Sequence, residues 1–303
     1  MMQTTPEQFD SYWQQTLDDL AGFPTNAEID LIPLRSTDFA TLYGVRLTSL
    51  GPYRLFGYLS IPVGEGPFPA IYYTPKYQSV LEIIPQGTAI WQRRRYITFA
   101  LAARGQRHAD TPYAAAFPGL LTDGIENAET YIFRGIVADS VRGLEFLLTR
   151  DELDASHVVV FGNDMALMTA ALHPGATHVV TNPALFYRSA ELAPKTQAYP
   201  LEEINDYLRA FPDRTEAVHH TLSYYELQAF APRVQAATLL IAGPNHSLLD
   251  GPALEPLAKV LAGPVTLYDS QASNYKDGLY TETWMAQQCG IQEVSDLLPE
   301  HWR

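Results

Sequence analysis

Apolar and polar positions recur along this chain at two spacings, and the switches between them lay out its elements. Over residues 5–20, Phe9, Trp13, Leu17 and Leu20 fall about one turn apart, and Pro6 and Glu7 suit a first turn, which predicts an amphipathic N-terminal helix. Residues 28–34, 45–50 and 53–61 alternate polar with apolar, and Gly51-Pro52 separates the last two, so an antiparallel meander opens a sheet. Residues 67–73 and 96–102 are apolar strands, the first ending in Thr74-Pro75-Lys76-Tyr77 and the second in Arg104-Gly105-Gln106. Residues 124–149 carry a helical stripe of Tyr131, Val137, Val141, Leu144 and Leu148. A strand at 158–161 turns through Gly162 into a helix-favouring run of Met, Ala and Leu, and residues 178–181 form a strand stopped by Asn182-Pro183. Residues 201–210 and 215–225 read as helices that interrupt the alternation. Residues 238–242 then form a strand ending in Gly243-Pro244-Asn245-His246, and 265–268 a last strand followed by a polar loop through Asn274.

Strands alternating with helices predict an α/β protein with a mostly parallel, doubly wound sheet whose pocket lies at the C-terminal ends of the strands. The chain has 303 residues, 47% of them hydrophobic, and no linker or repeat divides it. A single domain over 1–303 follows, with 1–24 as an N-terminal helical extension and 184–232 as a helical insertion near the pocket. Twenty Lys plus Arg against 34 Asp plus Glu leave a net charge of −14, which opposes general affinity for nucleic acid or anionic membrane. The N-terminal stretch lacks a basic region followed by an apolar run, and no stretch has the length of a membrane span, so the expectation is a cytoplasmic protein. The lone Cys289 has no partner for a disulfide or metal site.

Residues 157–174, HVVVFGNDMALMTAALHP, hold the candidate chemistry. A sharp strand-to-helix turn with small flanking residues lifts its central side chain into a pocket, as at the nucleophile elbow of hydrolases. Here Gly162 and Ala166 are the flanks and Asp164 is central, while Gly-x-Ser-x-Gly occurs nowhere in the chain. The plainer alternative is a Rossmann-like strand and helix with an Asp near the helix start. His219-His220 and His173 invite a metal reading, but adjacent histidines on a helix face different ways, and no metal is expected. Arg93-Arg94-Arg95 reads as a loop or helix end pairing with nearby carboxylates.

With these segments placed, the chain resembles family seven of the carbohydrate esterases, the acetyl xylan esterases and cephalosporin C deacetylases. The likeness rests on Phe9-Asp10-Ser11-Tyr12-Trp13, Arg104-Gly105-Gln106 and Phe117-Pro118-Gly119. It continues through Glu129-Thr130-Tyr131, Asp139-Ser140-Val141-Arg142 and Thr221-Leu222-Ser223-Tyr224-Tyr225, and covers roughly residues 6–284. The resemblance implies an α/β-hydrolase fold, a hexamer, and in active members a Ser, Asp and His triad that deacetylates small or short-chain sugars. The family's Gly-Gly-Ser-Gln-Gly elbow is replaced by Gly162-Asn163-Asp164-Met165-Ala166, which puts Asp164 at the nucleophile. The acid position aligns near His246, with Asp250 close by, and the His-Glu pair aligns with Ser273-Asn274. Tyr77 falls on the oxyanion-hole tyrosine, the Met165 backbone N–H would be the second donor, and Arg104 and Gln106 are structural supports by the same resemblance.

A serine esterase needs a hydroxyl nucleophile, a His to take its proton and an acid to orient that His. Losing the nucleophile or base alone costs about six orders of magnitude in turnover. The resulting expectation is a non-hydrolytic α/β-hydrolase homologue that needs no cofactor. It would bind a small sugar or acyl ligand in a pocket shell of Tyr77, Met165, His246, Ser273 and the segment around Tyr224, or act through its oligomer, alone or mixed with an active paralogue. The alternatives are an active hydrolase with Asp164 as nucleophile and His246 as base, a metal or proton-transfer site built from Asp164, His246 and Asp250, or residual carbohydrate deacetylation.

Overall fold

The computed structural model describes residues 5–77, 89–111 and 114–291. Among the described residues nine strands form one sheet: β1 (Glu28–Leu31), β2 (Ala40–Thr48), β3 (Arg54–Pro62), β4 (Phe68–Tyr73), β5 (Ile97–Ala102), β6 (Leu153–Gly162), β7 (His178–Thr181), β8 (Ala237–Ala242) and β9 (Val265–Asp269). Their order is β1-β2-β3-β5-β4-β6-β7-β8-β9, antiparallel from β1 to β5 and parallel from β5 to β9. The fold is therefore that of the α/β-hydrolases, a predominantly parallel sheet opened by an antiparallel meander. The helices are α1 (Phe9–Ala21), α2 (Ala89–Arg95), α3 (Ile132–Leu148), α4 (Asp164–Leu172), α5 (Ser189–Leu192), α6 (Glu202–Ala210), α7 (Thr215–Ser223), α8 (Leu227–Phe230), α9 (Gly251–Val260) and α10 (Asn274–Gln288). Among the described residues no helix is long and apolar enough to cross a membrane.

The period-2 alternation of the parallel strands divides the core between the two faces of the sheet. Ala70, Tyr72, Val158, Val160 and Val179 pack with α1, α3 and α4 in the larger core, while Ile71, Val159, Val180 and Leu239 meet Trp284 and Met285 of α10 on the other face. Helix α1 is pinned through its aromatic stripe: the Tyr12 and Tyr225 hydroxyls share a 2.7 Å hydrogen bond, and Trp13 Nε1 donates to the Tyr224 carbonyl at 3.0 Å. Phe9 and Trp13 meet the Phe230 ring at 5.0 and 5.3 Å, so one face of α1 closes over the segment that contains α7 and α8.

Two expected elements are corrected. The stretch from 124 to 131 is a series of turns and α3 starts only at Ile132, because Gly124 sits at φ +74 and the Ile132 N–H returns to the Asp123 carbonyl at 3.0 Å. The loop after β9 ends at Ser273, whose side chain accepts the Lys276 N–H and starts α10 at Asn274. In the arginine run, Arg93 is buried at the end of α2 and donates to Ser60 Oγ at 2.8 Å and to the Arg35 carbonyl at 3.2 Å. Desolvation there lowers the affinity of its guanidinium for the proton.

Candidate active site

At the elbow a Cβ at Gly162 would lie 2.1 Å from Thr74 Oγ1, so glycine at the end of β6 leaves room for the threonine side chain at the end of β4. Asn163 follows, its carbonyl accepting from Thr181 Oγ1 at 2.9 Å and the Asn182 N–H returning to Gly162 O at 3.2 Å. Asp164 is then the first residue of α4, as the small flanks of the sequence require.

Asp164 is fully buried, and both of its oxygens are occupied. Oδ1 accepts the N–H groups of Leu185 (3.1 Å) and Phe186 (2.9 Å), and Oδ2 those of Ala184 (3.0 Å) and Leu185 (3.1 Å). The loop after β7 thus folds its successive amides around the carboxylate, a backbone concavity suited to an anion. Burial pushes the Asp164 carboxyl up from its ordinary value, and the amides oppose that shift without cancelling it. Behind the loop lies a second buried carboxylate. Glu226 accepts the N–H groups of Arg188 (2.9 Å) and Gln228 (3.5 Å), and burial, with a smaller contribution from the Asp164 charge, pushes it up to about 7.

Ser273, at the aligned base position, and Asp250, close to the aligned acid position His246, both serve helix starts. Ser273 caps α10, and Asp250 caps α9 by accepting the Ala253 N–H at 3.2 Å. The loop after β9 is organised by Asp277, which accepts from Tyr268 Oη (2.8 Å), Ser270 Oγ (2.7 Å) and the N–H groups of Gln271 (2.9 Å) and Ser273 (3.2 Å). These donors hold the Asp277 carboxyl below the usual carboxylate range even though burial opposes them. His246 is exposed in the loop after β8 at φ +68, whereas Asp164 is sealed, and no ion pair joins them among the described residues. All three positions follow the C-terminal ends of parallel strands, β6, β8 and β9, yet the hydrogen bonds of Asp164 run to the 184–186 loop instead.

The support is built around Asp139 and Arg104. Asp139 is fully buried and takes Arg104 Nε and Nη2 at 2.8 Å each, while the same Nη2 reaches the Leu50 carbonyl at 2.7 Å. Gln106 Nε2 donates to the Lys76 carbonyl at 3.0 Å and its Oε1 accepts the Ala103 N–H at 2.8 Å, which ties the loop carrying Tyr77 to the end of β5. Between elbow and support lies a cavity of about 10 Å³, room for about one water, lined by Tyr77, Gln106, Leu120, Phe133, Asp164 and Met165 among others. Tyr77 and Met165 do face it; His246, Ser273 and Tyr224 do not line it, which corrects the expected pocket shell. Tyr224 instead packs its ring 4.6 Å from that of Tyr12. Among the described residues no cluster of three or more His, Cys, Asp or Glu could hold a metal ion.

One lining interaction was missed from sequence. Tyr77 Oη donates to Glu203 of α6, a side chain only 1% exposed that also accepts the Leu121 N–H at 3.0 Å. A Cβ at Gly119 would lie 2.3 Å from the Glu203 carboxyl carbon, so the glycine of the Phe117-Pro118-Gly119 segment makes room for it. Glu203 shares a buried helical face with Ile204 and Tyr207, and a carboxylate on an apolar stripe was the available signal.

Similar proteins place this architecture. Acetyl esterase Axe7A of Xylanibacter ruminicola is 23% identical over 257 residues, 80% of this chain and 57% of that protein, so the chain spans little more than half the length of this curated relative. The acetyl xylan esterase of Paenibacillus sp. R4 superposes with a TM-score of 0.80 at 21% identity, covering 95% of this chain and 96% of that one. Acetyl xylan esterase 1 of Thermoanaerobacterium sp. JW/SL YS485 gives a TM-score of 0.78 at 21% identity, covering 95% of each. Residues 1–250 match the acetyl xylan esterase (AXE1) family, and the chain belongs to it.

Proposed function

We propose that this chain is a non-hydrolytic member of the acetyl xylan esterase family, in which the elbow has become a structural joint. The observation that carries the reading is the enclosure of Asp164. A carboxylate nucleophile must be ionised and must present a lone pair to the substrate carbon. Here both oxygens accept backbone N–H groups, the side chain has no exposed surface, and burial favours its protonated form. A water-activating base is also needed, and exposed His246 does not supply one to a sealed carboxylate. The one-water cavity supports the same reading, since an acetylated sugar has no room beside Tyr77 and Met165.

The test is hydrolysis of p-nitrophenyl acetate and acetylated xylose by the wild type, Asp164→Ala and Asp164→Ser, alongside an active family member. No form should exceed the buffer rate. Turnover by the wild type that disappears in Asp164→Ala would overturn the reading and make Asp164 a working nucleophile.

A further inference from the structure

We propose that α10 is a proton-controlled clasp on the sheet face opposite α3 and α4, docked while Glu282 is protonated and released, with the rest of the fold intact, when Glu282 ionises. The proposal is independent of what the elbow does. Docking is concentrated in one stretch of the helix. Asn274, Tyr275, Lys276 and Gly278 are exposed, and the buried residues all lie between Thr281 and Ala286. Trp284 and Met285 meet Ile71, Val159, Val180 and Leu239, and the Trp284 ring stands edge-on to His178 at 6.2 Å. Glu282 is buried within this same apolar stretch, at 7% exposure.

The surroundings of Glu282 supply dipoles and no counter-charge. The Gln92 amide of α2 donates to Glu282 Oε1, and the Gln92 carbonyl oxygen accepts from the Tyr73 hydroxyl at the end of β4. Glu282 Oε2 has no partner among the described residues, and neither does the hydroxyl of fully buried Tyr96 just past α2. Burial, followed by the charges of Cys289 and Glu282, pushes the Tyr96 phenol up, and the Arg95 charge only tempers that. His178, on the far side of Trp284, is held below its ordinary value by burial. Tyr73, Tyr96, Arg95, Cys289 and His178 are thus the titratable groups around this stretch, and no ion pair joins any of them to Glu282 among the described residues. A carboxyl with one empty oxygen and no cation is accommodated as the neutral acid, whereas the anion leaves an unsolvated charge in an apolar layer.

Undocking α10 hydrates that charge without opening the sheet. Burial pushes the docked Glu282 carboxyl up from 4.5 to about 7, and the Gln92 bond opposes the shift without cancelling it. The clasp is therefore fully held below about pH 4.5, and the opening equilibrium grows by about 300-fold as pH rises through about 7. Trp284 and Met285 still favour closure, so release is a minor state read as a rate of local opening.

The lone cysteine reports the motion. Cys289 directly follows α10, and burial, with a smaller contribution from Asp154, pushes its thiol up to about 12, so it reacts slowly while α10 is docked. The experiment times its labelling by dipyridyl disulfide at pH 5.5 and 8.5 in the full chain and in Glu282→Gln, which cannot ionise at that position. The ratio of wild-type to variant rate should rise at least tenfold between the two pH values. Hydrogen exchange of the wild type, corrected for its intrinsic pH dependence, should quicken at the amides of 281–288 at pH 8.5 and stay slow at 158–161 of β6; this comparison decides alone if Glu282→Gln does not fold. A labelling ratio that is the same at both pH values would overturn the proposal, and so would α10 amides that stay protected at pH 8.5 or β6 amides that open together with them.

Discussion

Asp139 and Asp164 are equally sealed from water, yet they solve the problem of a buried charge differently. Asp139 meets the guanidinium of Arg104 through two 2.8 Å bonds and is part of the frame beneath the site. Asp164, at the centre of the site, meets only neutral amides. A buried carboxylate facing a cation is locked as an ion pair, and removing either partner strands the other. A carboxylate facing amides can shed its charge by taking up a proton, so it holds a loop without demanding a permanent counter-charge. The frame beneath the site is thus held by an ion pair, while the carboxylate at its centre holds a loop through neutral amides.

The largest effect expected from this contrast is at Asp139. Asp139→Ala leaves Arg104 buried without its carboxylate and should destabilise the fold by about 3–5 kcal/mol, measured by urea unfolding. A loss under about 1 kcal/mol would mean that Arg104 is solvated or paired by its carbonyl contact, and the distinction between frame and centre would fail.

Next is the pH dependence of carboxylates that face neutral donors. Glu226 and Glu282 are both pushed up to about 7, chiefly by burial. Glu282 receives the Gln92 amide on one oxygen while its Oε2 has no partner among the described residues. Folding takes up a proton at each group, so their contribution is complete below about pH 4.5 and is lost as pH rises through about 7, by about 3 kcal/mol per group. Glu282→Gln should therefore unfold later than the wild type at pH 8 and gain nothing at pH 4; an equal change at both pH values would show that the Glu282 carboxyl titrates alike in the folded and unfolded states.

A smaller effect is expected at the centre. Asp164→Ala strands three amide donors but also removes a carboxyl that is costly to ionise, for a net loss of about 1–3 kcal/mol. Hydrogen exchange should quicken at the amides of 184–186 and stay slow in β6. Protected 184–186 amides in the variant would show that the loop is held by something other than the carboxylate.

Much of this architecture was legible because buried parallel strands are short β-branched runs whose chemistry allows little else. The sequence placed β7 to the residue, and β4, β5 and β8 to within one. The β6 turn into α4 was visible from Gly162 and Ala166. By contrast, α9 carries Gly251 at its start and Pro256 inside, both of which read as interruptions, and the buried face of α10 mixes Thr281 and Glu282 with Trp284 and Met285, which blurs the stripe. The over-long helix at 124–131 arose because Gly124 at positive φ leaves no trace in hydrophobic periodicity.

The site divided along the same line. That Asp164 stands at the centre of the strand-to-helix turn, and that the serine pattern is missing, were matters of residue identity and local spacing, and the sequence alone determined them. Where the Asp164 carboxylate points was decided only by the fold, because its donors lie 20 to 22 residues further along the chain. The same holds for Glu203, whose partners Tyr77 and Leu121 lie 126 and 82 residues away, whereas Asp250 and Ser273 bond locally, each to an N–H three residues on. Local sequence dictates which backbone shapes are allowed, and burial, which depends on the whole chain, dictates what each polar group must bond to.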